Sequence, residues 1–394
     1  MDVRHFGPRT TIEDPERRRQ WQAAQRVLAV RLDNLGDVLM TTPAFAAMKC
    51  ATPRMHLCLL AAPGVAAARR HLSDVDAVIP YRAPWVAGEP GDSHTDTALI
   101  ERLRAERFDA AVIFTVATQS PIAAALACRL ADIPLRLAHC RENPYGLLSD
   151  WIPDADLCGP GMRHEVRRQL DLVASAGFLC HALPERMRFQ CDDDDQLGMG
   201  RHFVQALREA DIGGVDCNSG PAEPYFVVHP GATAASRRYP AERFGLAAAA
   251  IAQASGCRAV FCAGPDEVDL VDAAMRAMEG ASNFDARAVL APVSLAGRLS
   301  LGELAALIAG AEVVVCNNSG PAHLAAALGR PVAVTYALTN PQHTPWGVPT
   351  RVLNHEVPCR DCLKSQCPQA HHRCLLGVTP EAVAAAALDL MQRG

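Results

Sequence analysis

Along most of the chain, short apolar runs alternate with longer stretches of helical period. Such alternation predicts strands and helices in turn, and hence parallel sheets built from βα units. In the first half, strands are expected at 26–32, 56–60, 75–80, 108–116 and 136–138. Helices are expected at 38–49, 63–71, 97–106, 120–130 and 164–176. The run from Phe108 to Val116 is almost wholly apolar, as a parallel strand buried on both faces should be. Arg167 and Arg168 are read as exposed on their helix.

The composition then shifts. Four aspartates, Asp192 to Asp195, precede a helix over about 196–210, and a Gly-, Asn-, Ser- and Pro-containing stretch at 213–224 reads as a linker. The alternation restarts with strands at 225–229, 258–262, near Val289, at 313–315 and at 331–336. Helices fall at 241–255, 268–278 and 301–309. The expected division is an extension at 1–25, a Rossmann-like domain at 26–212, the linker at 213–224 and a second Rossmann-like domain at 225–380. That second domain contains a cysteine-rich segment at 358–375 and is followed by a C-terminal helix at 381–394.

Composition narrows the function. The 394 residues are 49% hydrophobic and carry a net charge of −5 with 5% aromatics. An acidic chain poor in aromatics is a poor candidate for nucleic-acid binding. Arg17-Arg18-Arg19 precede no apolar h-region, and no segment has the roughly 20 apolar residues of a membrane span, so a cytoplasmic protein is expected. Peripheral contact with the inner membrane stays open. In such a compartment most of the 15 cysteines would be reduced core thiols.

No dinucleotide fingerprint or Walker motif is present. Instead, three turns in the second half follow apolar strands: 229–233, 263–267 and 317–323. Ligands of open α/β sheets bind at such strand ends. At the third, Val313-Val314-Val315-Cys316 stops at Asn317-Asn318-Ser319-Gly320-Pro321, and a helix begins. A helix N-terminus suits a diphosphate, although Asn and Ser also serve as ordinary caps. Thr233, Arg237, Arg238, Gly264, Glu267, Asn318, Ser319, Gly320 and His323 are the donor-site candidates. In the first half, Asp37 follows Gly36 at a helix entry, as an N-cap or as a general base. Arg69, Arg70, Arg141 and Arg163 are basic residues of the first half that could meet an anionic ligand. Cys359, Cys362, Cys367 and Cys374, with His371 and His372 nearby, have the spacing of a structural zinc or iron–sulfur site, or of a thiol loop.

Together these motifs resemble glycosyltransferase family 9, the lipopolysaccharide heptosyltransferases and their relatives. The residues that carry the resemblance are Arg31-Leu32-Asp33-Asn34-Leu35-Gly36-Asp37-Val38-Leu39-Met40-Thr41-Thr42-Pro43, His229-Pro230-Gly231-Ala232, Arg237-Arg238-Tyr239-Pro240 and the run from Asn318 to Pro331. The four-cysteine tail also looks like one found in many members. The resemblance implies a GT-B fold, two Rossmann-like doubly wound domains facing a central cleft. The second domain would bind a nucleotide-diphospho-sugar, typically ADP-heptose, and the first a lipid A–core acceptor. Transfer would invert the anomeric centre without a metal, and Asp37 matches the base. Arg237 stands where members usually carry Lys, and Asn318 where many have Asp. Two other readings remain at this point, a GT-B nucleotide-sugar epimerase and a nucleotide-sugar-binding protein without turnover.

Overall fold

A computed structural model of the chain describes residues 12–87, 91–154, 162–180, 185–210, 223–282, 289–339, 342–364 and 366–393. They form two compact units, divided between Arg188 and Phe189.

In the first unit the elements run α1 (Pro15–Ala23), β1 (Arg26–Arg31), α2 (Leu35–Ala51), β2 (His56–Ala61), α3 (Pro63–Ala66), β3 (Ala77–Pro80), α4 (Pro84–Ala87), α5 (Ser93–Glu106), β4 (Ala110–Ile113), α6 (Ile122–Leu130), β5 (Leu135–Cys140), β6 (Asp150–Pro153) and α7 (Glu165–Ser175). All six strands are parallel, in the order β3-β2-β1-β4-β5-β6. The apolar strand residues are buried on both faces; Leu28, Val30, Leu60 and Ile113 join Leu103 of α5 and Phe108 in one core. The order reverses between β1 and β4, so a crevice is expected outside their carboxyl ends.

Two features of this unit were only partly legible. The extension carries a helix, α1. Trp21 of α1 is fully buried, and its indole donates to Asp150 Oδ2 at 3.1 Å. Pro43 lies inside α2 and neither starts nor ends it. A proline at this position leaves the carbonyl of Leu39 without its helical donor. Thr42 Oγ1 donates to that carbonyl at 2.7 Å and fills the gap. Cys50, near the end of α2, and Cys180, beyond α7, form a disulfide.

The second unit contains α8 (Asp193–Glu209), β7 (Tyr225–His229), α9 (Ala241–Ser255), β8 (Arg258–Phe261), α10 (Val268–Glu279), β9 (Val293–Ser294), α11 (Leu301–Ala309), β10 (Val314–Asn317), α12 (Gly320–Ala327), β11 (Val332–Thr335), β12 (Thr350–Leu353), α13 (Arg373–Leu376) and α14 (Pro380–Met391). Its six parallel strands are ordered β12-β11-β10-β7-β8-β9, the first unit's topology over again, with the switch between β7 and β10. Phe226, Val228, Phe244, Phe261 and Val315 lie in its core. β9 is at Val293–Ser294 and not at Val289. β6 and β12 have no counterpart among the expected strands. They are four-residue edge strands with polar or exposed positions, so they lack a continuous apolar run.

The division between units comes earlier than the expected linker, whose residues are mostly outside those described. α8, assigned from sequence to the first domain, packs on α11 in the second unit. Both helices open with a capping box, Asp192 with Asp195 and Ser300 with Glu303. The glycines let the two ends touch. A Cβ on Gly198 would sit 2.2 Å from Glu303 Oε1, and one on Gly302 would sit 1.9 Å from Asp195 Oδ1. A Gly302→Val substitution is therefore expected to push Asp195 out of its capping box and destabilise the second unit by about 1–3 kcal/mol. Urea denaturation followed by circular dichroism measures this, and an unchanged midpoint would contradict the close packing.

Candidate functional site

Each unit buries a polar side chain at the carboxyl end of a central strand, and the site residues gather around it. In the first unit this is Arg31, the last residue of β1. It is fully buried and meets three carboxylates: Asp33 Oδ2 at 3.2 Å, Asp37 Oδ1 at 3.3 Å and Glu165 Oε1 at 3.1 Å. Burial alone would lower the pKa of Arg31, but Asp33, Glu165 and Asp37 more than offset it, and the guanidinium stays charged. Burial raises the pKa of Asp33, against the opposing pull of Arg31. Asp37 sits in the first turn of α2 with its side chain 18% exposed, and Asn34 is the N-cap, so Asp37 is no cap. Gln169 donates to Glu165 Oε1 at 2.5 Å and to Thr115 O at 3.0 Å. Arg168 donates to Asp154 Oδ2 at 2.8 Å and also to Thr115 O.

Arg168 is thus buried, not exposed. Glu165, Arg168, Gln169 and Leu172 share the buried face of α7, while Arg167 is on the outer face and pairs with Glu185. The candidate arginines separate by position. Arg69 donates to Asp76 O just ahead of β3, at the amino-terminal edge of the sheet, and Arg70 adjoins it. Arg69 is thus held at the amino-terminal end of β3, away from the carboxyl ends of the strands. Arg141 follows β5 and lies 3.6 Å from Asp154; Arg163 precedes α7 and pairs with Asp171 at 2.7 Å.

In the second unit the buried residue is Asn317, at the end of β10. Its Nδ2 donates to Pro230 O at 2.7 Å and to Gly231 O at 3.3 Å, while Oδ1 accepts from Tyr239 N and Thr335 Oγ1, both at 2.9 Å. One amide therefore ties the turn after β7, the residue after Arg238 and β11 to β10. Ser319 is the N-cap residue of α12, yet its hydroxyl makes no capping bond; it lies 3.3 Å from Asn317 O and 3.5 Å from Gly231 O. The start of α12 is consequently left without a side-chain cap, and at Gly320 a Cβ would meet nothing within 4 Å. Glu267 closes on the same turn: a Cβ on Gly231 would be 1.9 Å from Glu267 Oε2.

The remaining donor candidates line these turns. Thr233 is exposed, and Gly264 opens onto free space. Arg237 Nε is buried with no hydrogen-bond partner among the described residues, and Asn318 hydrogen-bonds Tyr336. Both residues act on Tyr336, so they are neighbours, although far apart in sequence. Arg238 is held back by its own turn, donating to Ala232 O at 2.7 Å and 3.2 Å. His323 is buried in the first turn of α12. Burial takes the pKa of His229 down to about 4, so it is neutral near pH 7.

The cysteine-rich segment braces this wall. Asp361 N and Leu363 N donate to Leu338 O and Thr339 O beyond β11, and Lys364 O accepts from Ser236 Oγ beside Arg237. The four cysteines, whose spacing suits a metal site or a thiol loop, are not gathered around one point. Among the described residues no three His, Cys, Asp or Glu side chains converge on a common point. Cys359 Sγ lies 3.6 Å from His371 Nε2, while Cys362, Cys367 and Cys374 join no such group. Ligand-like spacing sets separation along the chain, but not direction, and Asp361, Leu363, Ala370 and His372 turn the segment with positive φ.

Residues 97–372 match the sequence profile of glycosyltransferase family 9 (heptosyltransferase). The chain belongs to this family. A family 9 member is a glycosyltransferase, which removes the reading without turnover. Lipopolysaccharide heptosyltransferase 2 of Salmonella typhimurium is 24% identical over 363 residues, covering 91% of this chain and 96% of that protein. The family 9 glycosyltransferase of Veillonella parvula aligns with a TM-score of 0.69 at 18% identity, covering 94% of this chain and 98% of that one. Escherichia coli ADP-heptose lipopolysaccharide heptosyltransferase II aligns with a TM-score of 0.67 at 20% identity, covering 94% and 99%. These structures share the two-domain α/β fold.

Sequence reasoning missed Arg31, Glu165 and Asn317 as site residues. The signal for Arg31 was a charge closing an apolar strand; Asn317 was hidden beside Asn318. An Asn317→Ala variant should lose about 2–4 kcal/mol of stability, because it strips partners from buried backbone groups, and a calorimetric melt measures it. For His229, the unfolded state takes up a proton below about pH 6.5 while the folded residue stays neutral to about 4. Stability is therefore lost as pH falls through that window, by up to about 3 kcal/mol from this residue. Urea titrations at pH 7 and pH 4.5 should show a smaller loss in His229→Gln than in the unsubstituted protein.

Proposed function

We propose that this family 9 enzyme transfers heptose from ADP-heptose to a sugar of a lipopolysaccharide core, by inverting displacement without a metal ion. The second unit binds the donor. The observation that carries this is the uncapped start of α12 at the β7/β10 switch, with Arg237 nearby holding an unpartnered buried Nε. Leaving ADP gains charge in the transition state, and helix N–H groups, Ser319, Thr233 and Arg237 offer donors and positive charge to meet it. Arg in the usual Lys position can engage phosphate oxygens in two directions. Gly264 and Glu267 are assigned to the nucleoside side of the donor, and Asn318 and His323 hold the turn around its phosphates.

The first unit binds the acceptor, with Asp37 as general base. A sugar hydroxyl is a weak nucleophile, so a carboxylate must take its proton as the new bond to the anomeric carbon forms and the bond to ADP breaks. Arg31 holds that carboxylate in place. Arg141 and Arg163 lie on the acceptor side of this unit. The Salmonella and Escherichia relatives are named for lipopolysaccharide, which supports a lipopolysaccharide core acceptor; among the described residues no helix is long and apolar enough to cross a membrane.

Purified enzyme supplied with ADP-heptose should release ADP only when a core acceptor is added. An Asp37→Asn variant should lose about 10²- to 10⁴-fold in kcat while binding ADP as tightly by calorimetry. Undiminished turnover in that variant would remove the base assignment, and failure to bind ADP would remove the donor assignment.

A further inference from the structure

A cavity of about 470 Å³ opens within the first unit, outside the carboxyl ends of β1 and β4. Its size is that of a small-molecule site. Trp85 of α4 lines it and is 40% exposed, a large aromatic surface left uncovered by the protein. Tyr81 backs that ring, with centroids 5.8 Å apart, and is itself anchored by a bond from its hydroxyl to Asp96 Oδ1 at 2.5 Å. Polar groups collect in the same lining: Asp33, Thr118, Gln119 and Ser120. Gln119 Nε2 donates to Asp33 Oδ1 at 2.6 Å, which fixes both.

Charge decides what this lining fits. Asp33 is the one ionisable side chain among the described lining residues. Arg31 is fully buried behind it and already engaged by three carboxylates. Arg69 and Arg70 lie at the opposite edge of the sheet. An acidic sugar or a phosphate placed here would lose hydration and meet no cation among the described lining residues. A neutral pyranose has the matching chemistry. One C–H face can lie on an indole ring, and its hydroxyls can reach the amide, hydroxyl and carboxylate groups at the rim.

We propose that this cavity is a subsite for an uncharged pyranose unit of the acceptor, with Trp85 as its platform and Gln119 and Asp33 as its polar end. The assignment rests on the acceptor reading of the first unit, and makes it narrower: the sugar that receives the transfer is neutral, and any acidic or phosphorylated group of the acceptor lies outside this pocket. Asp33 belongs to the cluster that holds Asp37 around Arg31, so the pocket adjoins the base.

Full-length enzyme should be titrated with methyl glucopyranoside, galactopyranoside and mannopyranoside and with the matching methyl uronides, followed by saturation-transfer NMR. At least one neutral glycoside should bind about tenfold or more tightly than its uronide, since the pair differ only in a carboxylate. Trp85→Ala should abolish that binding, Trp85→Phe should keep most of it, and Gln119→Ala should weaken it severalfold. Equal or tighter binding of the uronide, unchanged binding in Trp85→Ala, or no binding by any of the six overturns the proposal. ADP binding measured calorimetrically on the same preparations reports the donor assignment separately, so loss of sugar binding with ADP binding intact strikes the acceptor pocket alone.

Discussion

A polar side chain buried at the end of a parallel strand must find its partners on other elements, and in both units this requirement shapes the active region. Arg31 cannot be left alone in a fully buried site. Its neutralisation draws Asp33 from the loop after β1, Asp37 from α2 and Glu165 from α7 to one point. Removing Arg31 would leave three carboxylates without their shared cation, at a cost of about 3–5 kcal/mol or more by comparison with broken buried pairs. The cluster is therefore better understood as a device for fixing Asp37 than as a source of net stability. Its cost is met by the apolar sheet around it.

Asn317 solves the same problem without charge. An amide offers two donors and an acceptor with two lone pairs, and here all are directed at backbone or hydroxyl groups of neighbouring turns. The result is a rigid frame in which Ser319 is turned back toward carbonyls, and the start of α12 stays uncapped. A helix start without an internal cap has donors to offer a ligand. The cysteine-rich segment extends this frame by bracing the Arg237 turn through Ser236 and Lys364. Its contribution in the described structure is that of a buttress.

The two units repeat one topology, but divide the chemistry by what they bury. The carboxylate-rich end of the first sheet suits proton acceptance and sugar hydroxyls. The helix start and unpartnered guanidinium nitrogen of the second suit phosphate oxygens. Family 9 membership and the fold shared with the Veillonella and Escherichia proteins establish the family and the two-domain architecture. They leave to this chain's own residues the character of the proposed acceptor pocket, where Trp85 and the absence of a lining cation among the described residues are the distinguishing features.

The sequence by itself determined the alternation of strands and helices, the two Rossmann-like halves, the turns at the strand ends and the place of Asp37. These depend on local signals: apolar runs, helix formers, and Gly, Asn and Pro at turns. Edge strands β6 and β12 were not legible, because a strand exposed on one side needs no continuous apolar run. The tertiary structure alone decided which unit owns α8, since that follows from two glycines meeting two capping carboxylates. It alone showed Arg168 inside and Arg69 and Arg70 on the far edge, because residue type says nothing about which face of a helix or which end of a sheet a cation occupies. Arg31 and Asn317, on which both sites depend, were visible as letters; their partners lie up to 134 and 87 residues away, and only folding brings them together.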